Sequence, residues 1–113
     1  TNQQAFVFFQ TSPRTFERVP LTVGGQPAQA AVGDLNGDGL SDIAMAWGKE
    51  NLLAVYYRNA NPTSLANTFQ GPAVFSTSTS PTGLALIDAN QDGKLDVVVA
   101  ARGANAYNVF LQR

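Results

Sequence analysis

The chain has 113 residues, of which 44% are hydrophobic and only 13% are charged, a balance that favours a folded core over disorder. Its net charge of −1 lacks the basic excess of a nucleic-acid-binding surface, and no apolar run reaches the roughly 18 residues of a membrane span. With no Cys and no His, the chain by itself excludes disulfides, Cys/His zinc sites and Ser-His-Asp or Cys-His catalysis.

Short apolar runs, separated by Gly, Pro, Asn and Ser, predict an all-β chain. No segment repeats its apolar residues about every 3.6 positions, which is the spacing of an amphipathic helix. In chain order, the runs predict strands over residues 5–10, 16–22, 28–33, 42–47, 53–58, 72–76, 83–87, 95–100 and 107–112.

Two of the connections between these strands hold most of the acidic residues. Six of the eight acids fall in the windows 34–42 and 88–96, and both windows read D-x-N-x-D-G-x-x-D. A strand-like run precedes and follows each window. The polar positions are Asp34, Asn36, Asp38 and Asp42 in the first window, and Asp88, Asn90, Asp92 and Asp96 in the second.

This spacing is suited to calcium, which takes six to eight oxygen ligands at about 2.3–2.6 Å in flexible geometry. Side chains at loop positions 1, 3 and 5 converge if the loop curls, and the Gly at position 6 permits a positive-φ turn. The backbone carbonyl at position 7, from Leu40 or Lys94, adds a ligand, and the Asp at position 9 closes the loop. The sequence therefore predicts two calcium sites.

Three other interpretations of the windows are less favoured. An EF-hand loop needs a bidentate Glu at position 12 and flanking helices, but Met45 and Val99 occupy that position within strand-like runs. A dockerin-type pair is disfavoured because it also needs a following helix. Plain polar turns use the same residue types. Two matched copies and the repulsion among three carboxylates in one loop favour a cation.

The similarity between the two halves extends beyond the loops. Positions 34 and 88 are 54 residues apart, and Val55-Tyr56-Tyr57 aligns with Val109-Phe110-Leu111 at the same offset. Thr15-Phe16-Glu17 also resembles Thr68-Phe69-Gln70. A period of this length in β-type segments is typical of solenoids or propellers, and four strands per period match a propeller blade.

The segment 31–44, with its Asp-rich loop between apolar runs, resembles an FG-GAP/VCBS repeat, which builds the calcium-binding blades of integrin-α-like β-propellers. The resemblance implies a single domain, residues 1–113, of about two tandem four-stranded antiparallel blades with calcium loops at 34–42 and 88–96. The Gly-Ala-Pro element of integrin repeats is missing, which favours a bacterial or fungal VCBS-type protein. The implied ligands are Asp34, Asn36, Asp38, Leu40 (carbonyl), Asp42, Asp88, Asn90, Asp92, Lys94 (carbonyl) and Asp96.

About two blades are too few to close a propeller, which usually has about four to eight. The predicted strand order begins with the outer two strands of one blade and ends on a third strand. Because the sequence starts at Thr1 without a signal peptide, we interpret it as a mature product or an excised piece. We expect completion by self-association, with three copies giving six blades, or by neighbouring blades of a parent chain.

The resemblance implies an extracellular or cell-surface module for ligand binding or adhesion, with a glycan or protein as ligand and a lectin-like activity among the candidates. Trp47, Tyr56, Tyr57 and Tyr107 are aromatic candidates for sugar stacking, although strand positions favour packing. The alternatives are a calcium-stabilised spacer or assembly fragment, and a non-catalytic part of a polysaccharide-active enzyme. Catalysis is not expected, because only Glu17 and Glu50 remain outside the loops.

Overall fold

The computed structural model describes residues 4–112, and these fold into nine strands and two single-turn 3-10 helices. Neither described helix is long and apolar enough to cross a membrane. The strands are β1 (Ala5–Ser12), β2 (Thr15–Leu21), β3 (Pro27–Gly33), β4 (Asp42–Trp47), β5 (Leu52–Arg58), β6 (Phe69–Ser76), β7 (Pro81–Ile87), β8 (Asp96–Ala101) and β9 (Ala106–Phe110). The helices are Leu65–Asn67, before β6, and Arg102–Ala104, between β8 and β9.

The nine predicted strands are confirmed, and the main difference lies at the start of β6. This strand begins at Phe69, three residues before the predicted start at 72. The sequence places the start of the strand too late, because the pair Gly71-Pro72 consists of residues that disfavour strand interiors. In the structure, a register shift between Val55 and Tyr57 of β5 accommodates this pair.

The described strands form three antiparallel sheets of consecutive strands, which do not close into a ring. We call them the N-terminal pair (β1–β2), the middle sheet (β3–β6) and the C-terminal sheet (β7–β9). The middle sheet has the four strands of a propeller blade. The N-terminal pair supplies two strands and the C-terminal sheet three, so the all-β prediction of an open set of blades is confirmed.

The core lies on both faces of the middle sheet. Because side chains alternate along a strand, β4 sends Met45 and Trp47 towards the N-terminal pair and Ala44 towards the C-terminal sheet. Every residue of β4 is buried. On the C-terminal side, Leu53 packs with Val99 in one apolar cluster. Burial on both faces explains why β4 and β5 are continuous apolar runs rather than alternating ones.

Trp47 packs tightly against the link between the N-terminal pair and the middle sheet. Gly25 in that link is buried, and a Cβ atom placed on it would lie 2.7 Å from the indole ring of Trp47. It would also lie 2.7 Å from the Oε1 atom of Glu50, which accepts a hydrogen bond from the Gln26 N–H at 2.8 Å. A side chain at position 25 would therefore push these two sheets apart.

We expect Gly25→Ala to lower the free energy of unfolding by about 1–3 kcal/mol, the usual cost of overpacking. Gly24→Ala is the matched control, because a Cβ atom there would meet the Trp47 ring at 3.4 Å, an ordinary contact distance. Urea denaturation of both variants measures the difference. Equal stability of the two variants would contradict the packing described here.

Candidate metal-binding loops

The two Asp-rich windows occupy equivalent places in adjacent sheets. Loop 34–42 joins β3 to β4 in the middle sheet, and loop 88–96 joins β7 to β8 in the C-terminal sheet. The side-chain amide of Gln112 donates to the carbonyl of Asp34 at 3.3 Å and to that of Leu95 at 2.8 Å. The two loops are therefore neighbours, and a single side chain connects them.

The aspartates at loop position 9, Asp42 and Asp96, are completely buried. Their carboxylates accept hydrogen bonds from backbone N–H groups. We call these residues the closing aspartates. Asp42 accepts one hydrogen bond from the Leu35 N–H and another from the Arg58 N–H, both at 2.8 Å. Each bond uses a different oxygen of the carboxylate. This arrangement fixes the start of the loop and the end of β5 to the first residue of β4.

Asp96 repeats the same pattern in the second loop. Its Oδ2 atom accepts from the Ala89 N–H at 2.9 Å, and its Oδ1 atom accepts from the Gln112 N–H at 2.8 Å. Ala89 and Gln112 lie 54 residues after the two donors of the first loop, so the repeat extends to individual hydrogen bonds. A buried carboxylate without partners would be costly, and these donors offset part of that cost.

The aspartates at position 1 are held from inside their loops. Asp34 accepts hydrogen bonds from Gly39 N–H and Gly37 N–H, both at 2.8 Å, and Asp88 accepts from Gly93 N–H at 2.7 Å. The bond from Gly39 is the largest cause that lowers the pKa of Asp34 below its usual 3.8, and the bond from Gly37 adds to it against the opposing desolvation. Asp34 is therefore ionised at neutral pH.

Both loops turn through the left-handed backbone region at positions 4 and 6. Gly37 and Gly39 have φ angles of +80° and +81°, and Gly93 has +85°. Position 4 of the second loop is Gln91, with a φ of +59°, a conformation that costs an L-residue free energy. The second loop thus keeps the shape of the first without its second glycine.

The side chains of each loop bring oxygen atoms together. Carboxylate oxygens of Asp34, Asp38 and Asp42 lie within 4.8 Å of one another, and those of the equivalent triad in the second loop do the same. Asp38 is exposed, so the cluster opens to solvent on one side. Three like charges this close disfavour one another unless a cation neutralises them. The two triads can each hold a metal ion.

Asn90 adds an observation specific to the second loop. Its side-chain NH2 group donates to Asp92 Oδ1 at 3.0 Å and to Asp88 Oδ1 at 3.3 Å, so the amide lies beside two carboxylates of the triad. Rotation of the amide would present its oxygen to the same place, and a hard cation is held by oxygen atoms. The residues present therefore fit the predicted ion.

The predicted ligands are thus partly placed. The structure brings together the three aspartates of each loop, and Asn90 lies beside two of those in the second loop. The Asn36 side-chain oxygen accepts from the Asp38 N–H at 3.3 Å and so lies within the first loop. Ligation by any of these residues, and by the carbonyls of Leu40 and Lys94, stays a prediction. Sequence reasoning missed Gln112, whose only signal was its place directly after the aligned segment Val109-Phe110-Leu111.

Among the aromatic candidates, the half-buried Tyr57 lies near the first loop, where burial and then the charge of Asp42 raise its pKa. Trp47 and Tyr56 are buried in the core, and the Tyr56 hydroxyl donates to the Thr22 carbonyl at 2.6 Å, while burial raises its pKa. Neither ring is available for stacking on a sugar. Tyr107 is exposed on β9. Glu17 lies on β2 and Glu50 follows β4, so these acids belong to different sheets.

Part of the chain matches a known protein family. The model of the FG-GAP-like repeat matches residues 34–99, more than half of the chain. The match begins at the first residue of the first loop and runs through the second loop into β8. Comparisons with curated proteins and with solved structures give no match.

We expect Asp42→Asn to lower the free energy of unfolding by about 1–3 kcal/mol in excess chelator, because an amide NH2 then faces a buried N–H donor. Asp96→Asn should behave alike. Asp38→Asn is the control, since Asp38 is exposed and its Asn can still accept a hydrogen bond from the Leu40 N–H. Urea denaturation measures all three. A loss for Asp42→Asn no larger than for the control would contradict the role of the closing aspartates.

Proposed function

Because this chain belongs to the FG-GAP-like repeat family, we propose that it is a calcium-binding β-propeller repeat module with two sites. The observation that carries the proposal is the convergence of three carboxylates in each of two equivalent loops. The ligands in the first loop are Asp34, Asn36, Asp38, the Leu40 carbonyl and Asp42. Those in the second are Asp88, Asn90, Asp92, the Lys94 carbonyl and Asp96.

The donor set favours calcium over other ions. Every proposed ligand is an oxygen atom, and the chain offers neither His nor Cys to a softer transition metal. Magnesium prefers strict octahedral geometry and keeps several of its waters, whereas calcium accepts many protein oxygens in irregular loops. Bound calcium would neutralise each triad and stiffen the exposed part of its loop.

We expect isothermal titration calorimetry to find two calcium ions per chain, with dissociation constants of about 10⁻⁴–10⁻³ M if the sites resemble those of other extracellular modules. Asp38→Asn and Asp92→Asn should each reduce the stoichiometry to one in the same concentration range, because each removes a charged ligand from one loop. Two sites remaining in either variant would contradict the ligand assignment.

Calcium should also stabilise the fold. At calcium concentrations of one to ten times the dissociation constant, binding raises the free energy of unfolding by about 0.4–1.4 kcal/mol per site. The melting temperature of the wild type should therefore rise with calcium and much less with equimolar magnesium. The double variant Asp38→Asn/Asp92→Asn should not respond to calcium. An equal response of wild type and double variant would count against the two sites.

We further propose that the module is extracellular or exposed at a cell surface, and that its stiffened loops take part in ligand binding or adhesion. Binding residues commonly lie on loops held by a rigid scaffold, and here two such loops adjoin through Gln112. A saccharide or a protein is the expected ligand class. Catalysis is not part of the proposal, because six of the eight acids lie in the loops.

A glycan array, read in calcium and in chelator, tests the binding role. Capture that requires calcium and is lost in the double variant Asp38→Asn/Asp92→Asn would support it. The buried closing aspartates favour a second candidate, a calcium-stabilised spacer whose loops hold the sheets together. Calcium stabilisation without capture of any glycan, or of any protein from an extracellular panel, would favour that role.

A further inference from the structure

Asn36 differs from every other asparagine of the chain in the residue that follows it. Of the nine asparagines in the sequence, only Asn36 precedes a glycine. The backbone nitrogen of a following residue can attack the side-chain carbonyl carbon of an asparagine, and glycine has no Cβ atom to hinder that approach. The equivalent Asn90 of the second loop precedes Gln91 instead. The two otherwise matched loops therefore differ in chemical reactivity.

The first loop leaves this pair open to water. Asn36 and Gly37 are both exposed. The Asn36 side-chain oxygen accepts from the Asp38 N–H at 3.3 Å, a long bond that ties the side chain to the residue after Gly37. By contrast, the half-buried Asn51 accepts from the Ser80 N–H of the next sheet at 2.8 Å. The amide of Asn36 is thus held loosely, and solvent can reach it.

We propose that Asn36 is a site of spontaneous deamidation in the first loop. The Gly37 nitrogen loses its proton to solvent base and forms a bond to Asn36 Cγ. The Cγ–NH2 bond breaks, and the side-chain nitrogen takes up a proton from water and leaves as ammonia. Water then opens the resulting cyclic succinimide. Attack of water at Cγ leaves an aspartate, and attack at the main-chain carbonyl leaves an isoaspartate, in which the main chain runs through the side-chain carbons.

Hydrogen bonds within the loop set the rate of this reaction. Asp34 Oδ1 accepts from the Gly37 N–H at 2.8 Å, and a negative charge beside this N–H opposes the loss of its proton. Opening of the exposed loop releases the N–H, and local opening of this kind costs less free energy than global unfolding. Deamidation of the folded chain is therefore slower than that of the unfolded chain, but it is not abolished.

Deamidation changes the first loop and leaves the second as it is. An aspartate at position 36 adds a fourth carboxylate to the loop that already holds the triad of Asp34, Asp38 and Asp42, and it increases the repulsion that a cation relieves. An isoaspartate lengthens the main chain between Asp34 and Gly37, whose hydrogen bond helps to curl the loop. The two loops therefore become unequal with time.

Calcium should slow the reaction, an expectation that rests on the proposed function. A bound ion would take the Asn36 oxygen as a ligand and keep the loop closed around the Gly37 N–H. The rate of deamidation should therefore fall several-fold in saturating calcium. Equal rates in calcium and in chelator, when calorimetry finds two bound ions, would contradict this protection and not the metal sites. Absence of bound ions would contradict the proposed function, and the chelator experiment below would still decide the modification.

Peptide mapping of the full chain in excess chelator tests the site itself. Trypsin cleaves after Arg18 and Lys49, and Asn36 is the only asparagine in residues 19–49. In warm, mildly alkaline buffer, this peptide should gain the mass of an NH2-to-OH exchange faster than any other, and an isoaspartate-specific methyltransferase should label it. A folded chain in which residues 19–49 stay unchanged, over a period in which urea-unfolded chain converts them, would overturn the proposal.

An exchange of one residue between the loops supplies matched variants. Gly37→Gln copies Gln91, which holds the equivalent turn at a φ angle of +59°, and a Cβ atom on Gly37 would meet Gln112 Oε1 at an ordinary 3.6 Å. This variant should lose the mass gain in residues 19–49. Gln91→Gly should create a second site at Asn90, detected in the tryptic peptide 59–94. An unchanged mass gain in Gly37→Gln would show that Asn36 does not react through Gly37 and would overturn the proposal.

Discussion

The structure depends on two buried carboxylates, those of Asp42 and Asp96. Each is the first residue of a second strand, and each accepts one N–H from the start of its loop and one from the end of the third strand. A buried charge is tolerated only with such partners. The same hydrogen bonds therefore set the curl of the loop, the position of the third strand and the burial of the apolar residues between them.

The aspartates of each loop therefore have different roles. The closing aspartate holds strand and loop together, whereas Asp38 and Asp92 lie at the exposed side and accept backbone hydrogen bonds from their own loops. Crowding of three carboxylates is unfavourable, and a cation would remove that cost without requiring the sheets to move. The Gln112 side chain contacts the backbone of both loops, so an ion bound in one loop would have a direct physical connection to the other.

Local patterns predicted much of this architecture. The strands and both loops follow from apolar runs, turn residues and a nine-residue motif, all of which depend on near neighbours in the chain. The role of Asp42 as a backbone acceptor was not predictable, because its second donor, Arg58, lies 16 residues away and acts through a main-chain N–H that any residue has. The burial of Trp47 and Tyr56 likewise depends on a neighbouring sheet, which the residue type alone does not reveal.

The most direct test of the account is amide hydrogen exchange of the wild type in excess chelator, measured by NMR. The buried carboxylates should shape the loops before any ion binds. The N–H groups of Leu35, Arg58, Ala89 and Gln112 are therefore expected to be protected from exchange as strongly as those of β4 and β8. Rapid exchange of these four amides in chelator, with protection only after calcium is added, would contradict this expectation, because the ion and not the buried carboxylates would then be shaping the loops.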